Sequence, residues 1–255
     1  MNAALFLVVT NMTFQNALAV IDVSTYFLIF CFGLLLLIFV YLYLQTFCLE
    51  MPTFTREHNN GMYSILSYFV GKNLAEFPIF VVIPIIWISI YYYMVGLWSP
   101  ISTFLFTIVV AIAVSTISVS FGYFMSCMCA KTDIALAFCA PILAPLQLWG
   151  GFFLNSKSIP SFFRYARMIS WFYYAFKLLV VNQWEKVKYM PDLENHTCAN
   201  QVSSDPCFET GDEIIKFMDF DNPSTFGDLS MLLLITIFFR TASYWLLYIR
   251  IKFTR

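Results

Sequence analysis

Charge is what this sequence has least of. Only 11% of its 255 residues are charged, 60% are hydrophobic, and the mean hydropathy is +0.76. A soluble domain carries about 25% charged residues, so a chain this poor in charge cannot cover itself for water. It is an integral membrane protein. Histidine is nearly absent as well. His58 and His196 are the two, and the loop charges described below put them on opposite sides of the membrane. They can build neither a His-based metal site nor a Ser-His-Asp arrangement. There is no G-x-x-x-x-G-K-[ST] phosphate loop, since "FVGKN" lacks the first glycine and the hydroxyl residue. No pair of carboxylates inside an apolar run suggests a proton relay. These absences argue against catalysis within the chain, and nothing points to a nucleic-acid partner. Alternating apolar segments are missing too, which argues against a transmembrane barrel. Only helices and closed barrels satisfy their backbones in lipid, so the expected fold is an all-α integral membrane bundle.

Long apolar runs are what the chain does have. A spanning helix needs about 20 mostly apolar residues, and the runs at 4–22, 26–49, 77–96, 101–128, 133–154 and 229–249 qualify. The first is the weakest, because "TNMTFQN" puts polar residues in its middle. Lys and Arg in short loops orient the bundle. The strip 50–77 holds Arg56 and Lys72, "GLWSP" at 96–100 has no charge, "CMCAKTD" carries Lys131, and the tail carries Arg250, Lys252 and Arg255. Inside and outside therefore alternate, with 151–228 outside.

Ten of the fifteen carboxylates fall in 185–228, which suits an external loop. That loop holds the glycosylation sequon beginning at Asn195. It also holds Cys198 and Cys207, which in an oxidising location form a disulfide, remain free thiols or bridge a partner chain. The stretch 150–184 before it is aromatic, with Lys157, Arg164, Arg167 and Lys177 set between apolar residues. Its apolar run 168–181 is short for a span, so it reads as a re-entrant pair of short helices. Arg240 lies mid-way along the last apolar run. An arginine there must face protein or water; a tie to a backbone carbonyl or carboxylate is the plainer reading, a substrate contact the other.

The order of "PTFTREHNNGMYSILSYFVGKNLAEFP", "GGFFLNSKSIPSFFRYARMISWFYY", "NQW", a short-spaced cysteine pair and "FR…Y…L…R" resembles the membrane domain of a G-subfamily ABC half-transporter. "LFLVVTNMTFQN" and "GGFFLNS" bring it nearest the insect white/scarlet/brown group of eye-pigment-precursor transporters. The resemblance implies an ABC-2 type bundle over 1–255, with an external loop and re-entrant segment over 150–228. It implies that 52–76 is a cytoplasmic coupling helix lying against an ATP-binding domain, with Arg56, Glu57, Gly61, Tyr63, Tyr68 and Lys72 in the matching positions. A solvated loop with topogenic charges is the alternative reading of that strip.

By the same resemblance, a substrate cavity on a two-fold axis is lined by Asn11, Phe14, Ala144 and Gln147, under an apolar plug of Phe152 and Phe153. An aromatic face can hold a flat ring, and an amide can fix its orientation. The implied partners are membrane lipid, a second half-transporter (identical or different), the ATP-binding domain with its ATP and Mg, and a small aromatic cargo. The membrane is the plasma membrane or that of a pigment granule. A lipid or sterol exporter, or a truncated non-transporting scaffold, is the alternative function.

Two departures from the family pattern stand out. The ATP-binding domain and a first span are missing, so the chain is expected to be a fragment. The hydrophobic insert 24–48 has no counterpart in the family. It is either an extra span, which would reverse the N-terminal run, or a translated intron.

Overall fold

A computed structural model describes residues 39–95, 100–129, 131–150, 167–185, 210–217, 220 and 224–254. Every regular element among the described residues is helical. They are α1 (described over 39–59), α2 (Ile65–Val95), α3 (Ile101–Met128), α4 (Thr132–Leu148), α5 (Trp171–Trp184), α6 (Gly211–Phe217) and α7 (Thr225–Thr254). Helices α2, α3 and α7 are long and apolar enough to cross a membrane. Their outward faces carry exposed Leu66, Val70, Val82, Ile86, Leu105, Leu233, Ile237 and Phe238, as lipid requires.

Lipid gives helices no hydrophobic reason to associate. Close backbone approach and interhelical hydrogen bonds must do it, and α3 has the residues for both. Its buried positions include Ala111, Ser115, Ser118, Ser120, Gly122 and Ser126. A Cβ on Gly122 would sit 3.1 Å from the Val40 carbonyl oxygen, so the α1 backbone lies directly against α3 there. One turn on, Ser126 Oγ donates to the Leu44 carbonyl at 3.0 Å. The insert 24–48 thus enters the described structure as the first part of α1, with Phe39, Val40, Tyr43, Leu44 and Phe47 buried. Residues 24–38 lie outside the described residues.

Helix α2 contains Pro78 and Pro84. A proline inside a helix removes the N–H that would bond the carbonyl four residues back. For Pro84 that carbonyl belongs to Phe80, and Ser115 Oγ on α3 donates to it at 2.9 Å.

The contacts fix the helix directions. Phe80 meets Ser115 and Glu76 meets Tyr123, so α2 runs against α3. Arg240 Nε donates to Ser120 Oγ at 2.8 Å and Arg250 Nη1 to the Cys129 carbonyl at 3.0 Å, so α7 runs with α3. Helices α1, α3 and α7 end at one rim, where α2 begins, and that rim carries Arg56, Lys131, Arg250 and Lys252. The alternation expected from loop charge holds across these helices.

Helix α5 is only about 21 Å long, too short to span. Its Trp171 ring lies 5.2 Å from Phe121, and its Asn182 Nδ2 donates to the Thr103 carbonyl at 2.9 Å. It therefore runs from mid-bundle toward the far rim, and nearly all its side chains are buried in protein. At its start Ser170 Oγ donates to the Leu146 carbonyl at 2.6 Å, capping the end of α4. Gly150 permits this approach, since a Cβ there would fall 2.9 Å from Phe172 Cβ. Of the stretch 150–184, residues 151–166 lie outside the described residues.

Replacing Ser115 by Ala strips the Phe80 carbonyl of its donor and should lower the unfolding free energy by about 1 kcal/mol. Ser118→Ala should cost less, because that hydroxyl returns to its own helix at the Val114 carbonyl. Unfolding titrations of both variants in mixed micelles would check the order.

Candidate functional site

The strip 52–76, expected as one coupling helix, is a corner between two. Helix α1 ends through backbone bonds alone. Met62 N–H donates to the Glu57 carbonyl at 3.2 Å and Gly61 N–H to the His58 carbonyl at 2.9 Å. These paired bonds close a Schellman cap, which needs a left-handed residue at its centre. Gly61 supplies it with φ +76°.

Aromatic packing fills the inside of the corner. The Phe54 ring stacks on Tyr68 at 4.0 Å and lies 6.0 Å from Tyr63 and from His58. Tyr63 donates its hydroxyl to the Glu57 carboxylate, and His58 Nδ1 lies 2.9 Å from the Tyr63 carbonyl. Burial, then the hydrogen bond and charge of Glu57, push the Tyr63 phenol up to about 12. A phenol whose folded pKa is raised above its ordinary value contributes stability below about pH 10, and loses it as pH rises through the folded value. The tie is intact at any physiological pH. Arg56 stands exposed on the outer side.

Behind the corner lies an ionic cluster. Lys72, with its side chain only 6% exposed, pairs with Glu50 of α1 and with Glu76 one turn along α2, the latter at 2.8 Å. Tyr68 donates to Glu50 at 3.1 Å, and Tyr123 of α3 donates to Glu76. The Arg240 guanidinium of α7 sits 5.7 Å from the Tyr123 ring and 5.9 Å from the Phe80 ring, besides its bond to Ser120. Two cations and two carboxylates thus join α1, α2, α3 and α7. The arrangement ties the four helices together through charge and hydrogen bonds. Among the described residues no group of three or more His, Cys, Asp or Glu is placed to hold a metal ion.

Glu57, Gly61, Tyr63 and Tyr68 build this corner, Arg56 stands on its outer side, and Lys72 and Arg240 lie in the cluster behind it. Arg240 finds a hydroxyl, two rings and the charge of the Glu76 carboxylate, which is the protein-facing tie expected, with no backbone carbonyl in it. Ala144 and Gln147 lie one turn apart on α4, exposed and half-buried. Asn11, Phe14, Phe152, Phe153, Asn195, Cys198 and Cys207 lie outside the described residues. Glu50, Glu76 and Tyr123 were missed as site residues. The i,i+4 spacing of Lys72 and Glu76 carried a signal; Glu50 and Tyr123 carried none.

A family model described as ABC-2 type transporter matches residues 1–184. The chain belongs to the ABC-2 type transporter family. It is similar to "Protein white" of Ceratitis capitata, 35% identical over 243 residues, which is 95% of this chain and 32% of that protein. "Protein white" of Drosophila melanogaster is 33% identical over 251 residues, 98% of this chain and 32% of that protein. The "ABC transporter ATP-binding protein/permease wht-1" of Caenorhabditis elegans is 31% identical over 201 residues, 79% of this chain and 30% of that protein. The chain spans about a third of the length of these relatives. It is a G-subfamily ABC membrane domain related to the white and scarlet transporters, and its corner joins two helices of that domain.

Lys72→Met removes the ammonium paired with Glu76, whose side chain is 15% exposed, and should destabilise the bundle by about 3 kcal/mol. Glu50→Gln should cost under about 1 kcal/mol, because the Glu50 side chain is 46% exposed. Thermal unfolding of the two variants in nanodiscs compares them.

Proposed function

We propose that this membrane domain carries small planar aromatic molecules in an ATP-driven pump built as a dimer of half-transporters, identical or different. The cargo class we assign is the eye-pigment precursors: tryptophan metabolites, or guanine and pteridines. The membrane is that of the cell surface or of a pigment granule. ATP with Mg, held by an ATP-binding domain, supplies the closing force. The corner takes up that motion on its exposed Arg56 side. The cluster of Glu50, Lys72, Glu76 and Tyr123 passes it to α1, α2 and α3, and Arg240 to α7. Movement of these helices turns the cavity from one side of the membrane to the other. Gln147, with Ala144 one turn away, orients a flat cargo through its amide, and Asn11 and Phe14 complete that wall.

The observation that carries this reading is the corner itself. A backbone-closed turn holds an exposed arginine on one side, and on the other it meets a cluster of ions, with Lys72 closed off from solvent at its centre, that joins four helices. A solvated loop with topogenic charges needs none of that.

Arg56→Glu tests it, because Arg56 is exposed and makes no contribution to the Schellman cap through its side chain. Uptake of a kynurenine-type or purine cargo into vesicles should fall about 10-fold, a coupling of roughly 1.4 kcal/mol, with unfolding unchanged. Uptake equal to the parent's removes the coupling role. Competition by sterol, with none by the aromatic cargo, would assign the domain to lipid export. Co-purification with a half-transporter but no uptake at all would make it a scaffold.

A further inference from the structure

A second buried ion pair lies toward the far rim, away from the corner. Lys177 Nζ of α5 is 2.8 Å from Asp228 Oδ2 in the first turn of α7, and both side chains are 9% exposed. Helix α5 is pinned at three points. Ser170 caps α4 at the Leu146 carbonyl, Lys177 holds α7, and Asn182 holds α3 through the Thr103 carbonyl.

Helix α7 takes part in both ties, at Asp228 near the far rim and at Arg240 half-way along its length. Asp228 and Arg240 are twelve residues apart on it, about 18 Å along the axis. The sequence between them, "LSMLLLITIFF", has no proline or glycine, the usual origins of a sharp kink. Stability alone does not account for the far pair, since apolar residues of the same volume often hold two helices at least as well as buried ions do. A tie whose two ends must find each other again after parting does account for it.

We propose that α7 is a rod coupling the two ionic ties, so that the Lys177–Asp228 pair locks the far rim in step with the cluster around Arg240. A shift or turn of α7 imposed at Arg240 moves Asp228 with it. Losing Asp228 removes the polar tie between α5 and α7 near the far rim and leaves only apolar packing, such as Trp171 against Phe239, between them, while α5 keeps its hold on α3 and α4. The release reaches the end of α4 beside Gln147 through Ser170 and Leu146. The purpose assigned here rests on the transport reading above. Its test reads geometry alone, so uptake can fail while the rod stands, and the reverse.

Leu232, one turn beyond Asp228, has no exposed surface and serves as the probe position. The full chain carrying Leu232→Cys is placed in sealed vesicles, and a membrane-impermeant maleimide is added from the far side. The same chain with Leu232 intact gives the background from the native cysteines. Lys177→Met should speed labelling about 5-fold or more. Ser120→Ala, which removes the hydroxyl bonded by Arg240 and leaves the far pair untouched, should speed it too. Together they should speed it by less than the product of the single effects, because both release one rod. The swap Lys177→Asp with Asp228→Lys should return the rate to the parent's. If Lys177→Met does not fold, Lys177→Gln keeps a polar side chain in its place and carries the same expectation. Unchanged labelling in Ser120→Ala would reduce the far pair to a local strut, and unchanged labelling in the Lys177 variant would show that it locks nothing; either overturns the proposal.

Discussion

The hydroxyl of Ser115 against the Phe80 carbonyl shows the constraint on which the bundle depends. Inside lipid no water can reach a bare carbonyl, so a group that a proline leaves open gains from a donor on a neighbouring helix, as Phe80 does from Ser115. Helix α3 does most of this matching. Its serines meet the α2 carbonyl freed by Pro84, the α1 carbonyl of Leu44 and the guanidinium of Arg240. Its Gly122 lets α1 come close enough for one of those bonds to form. The order of the helices around α3 is in effect a list of groups needing partners. At its end Arg250 completes the set, donating to the Cys129 carbonyl where the helix has run out of its own N–H groups.

The charges follow the same logic at higher stakes. Lys72 lies within α2, yet its side chain is almost closed off from solvent because Glu50 and Glu76 neutralise it from two helices. Arg240 rests on the faces of Tyr123 and Phe80 and on one hydroxyl. The bundle tolerates these ions only while the helices keep their places. Ions that are tolerated conditionally report helix position in a way that apolar contacts, which slide at little cost, do not.

Membrane class, helical fold and the spans at 77–96, 101–128 and 229–249 were legible in the sequence, because composition and run length depend on no distant contact; the run 133–154 gives a helix of only Thr132–Leu148, short of span length among the described residues. The start of α2 was not. The run was read as beginning at 77, since Lys72 and Glu76 looked like loop charges, whereas the helix begins at Ile65 and pairs them internally. Gly61 was legible as a family position, but its reason, a left-handed cap, needed the backbone. The demand of Arg240 for a partner was legible; the partner was not, since Ser120 lies 120 residues away in the chain. Lys177 was read as one more charge in an aromatic interfacial stretch, because nothing local joins it to Asp228.

The corner between α1 and α2 owes its shape to two main-chain bonds, one glycine, and the rings and side-chain bonds on its inner side. The side chains on its outside, Arg56, Asn59, Asn60 and Met62, contribute nothing to that shape through side-chain bonds of their own. A surface whose form is set by backbone while its chemistry is set by dispensable side chains can be refitted to a new neighbour by point substitution. The fold of the spans need not be disturbed when those outer side chains change.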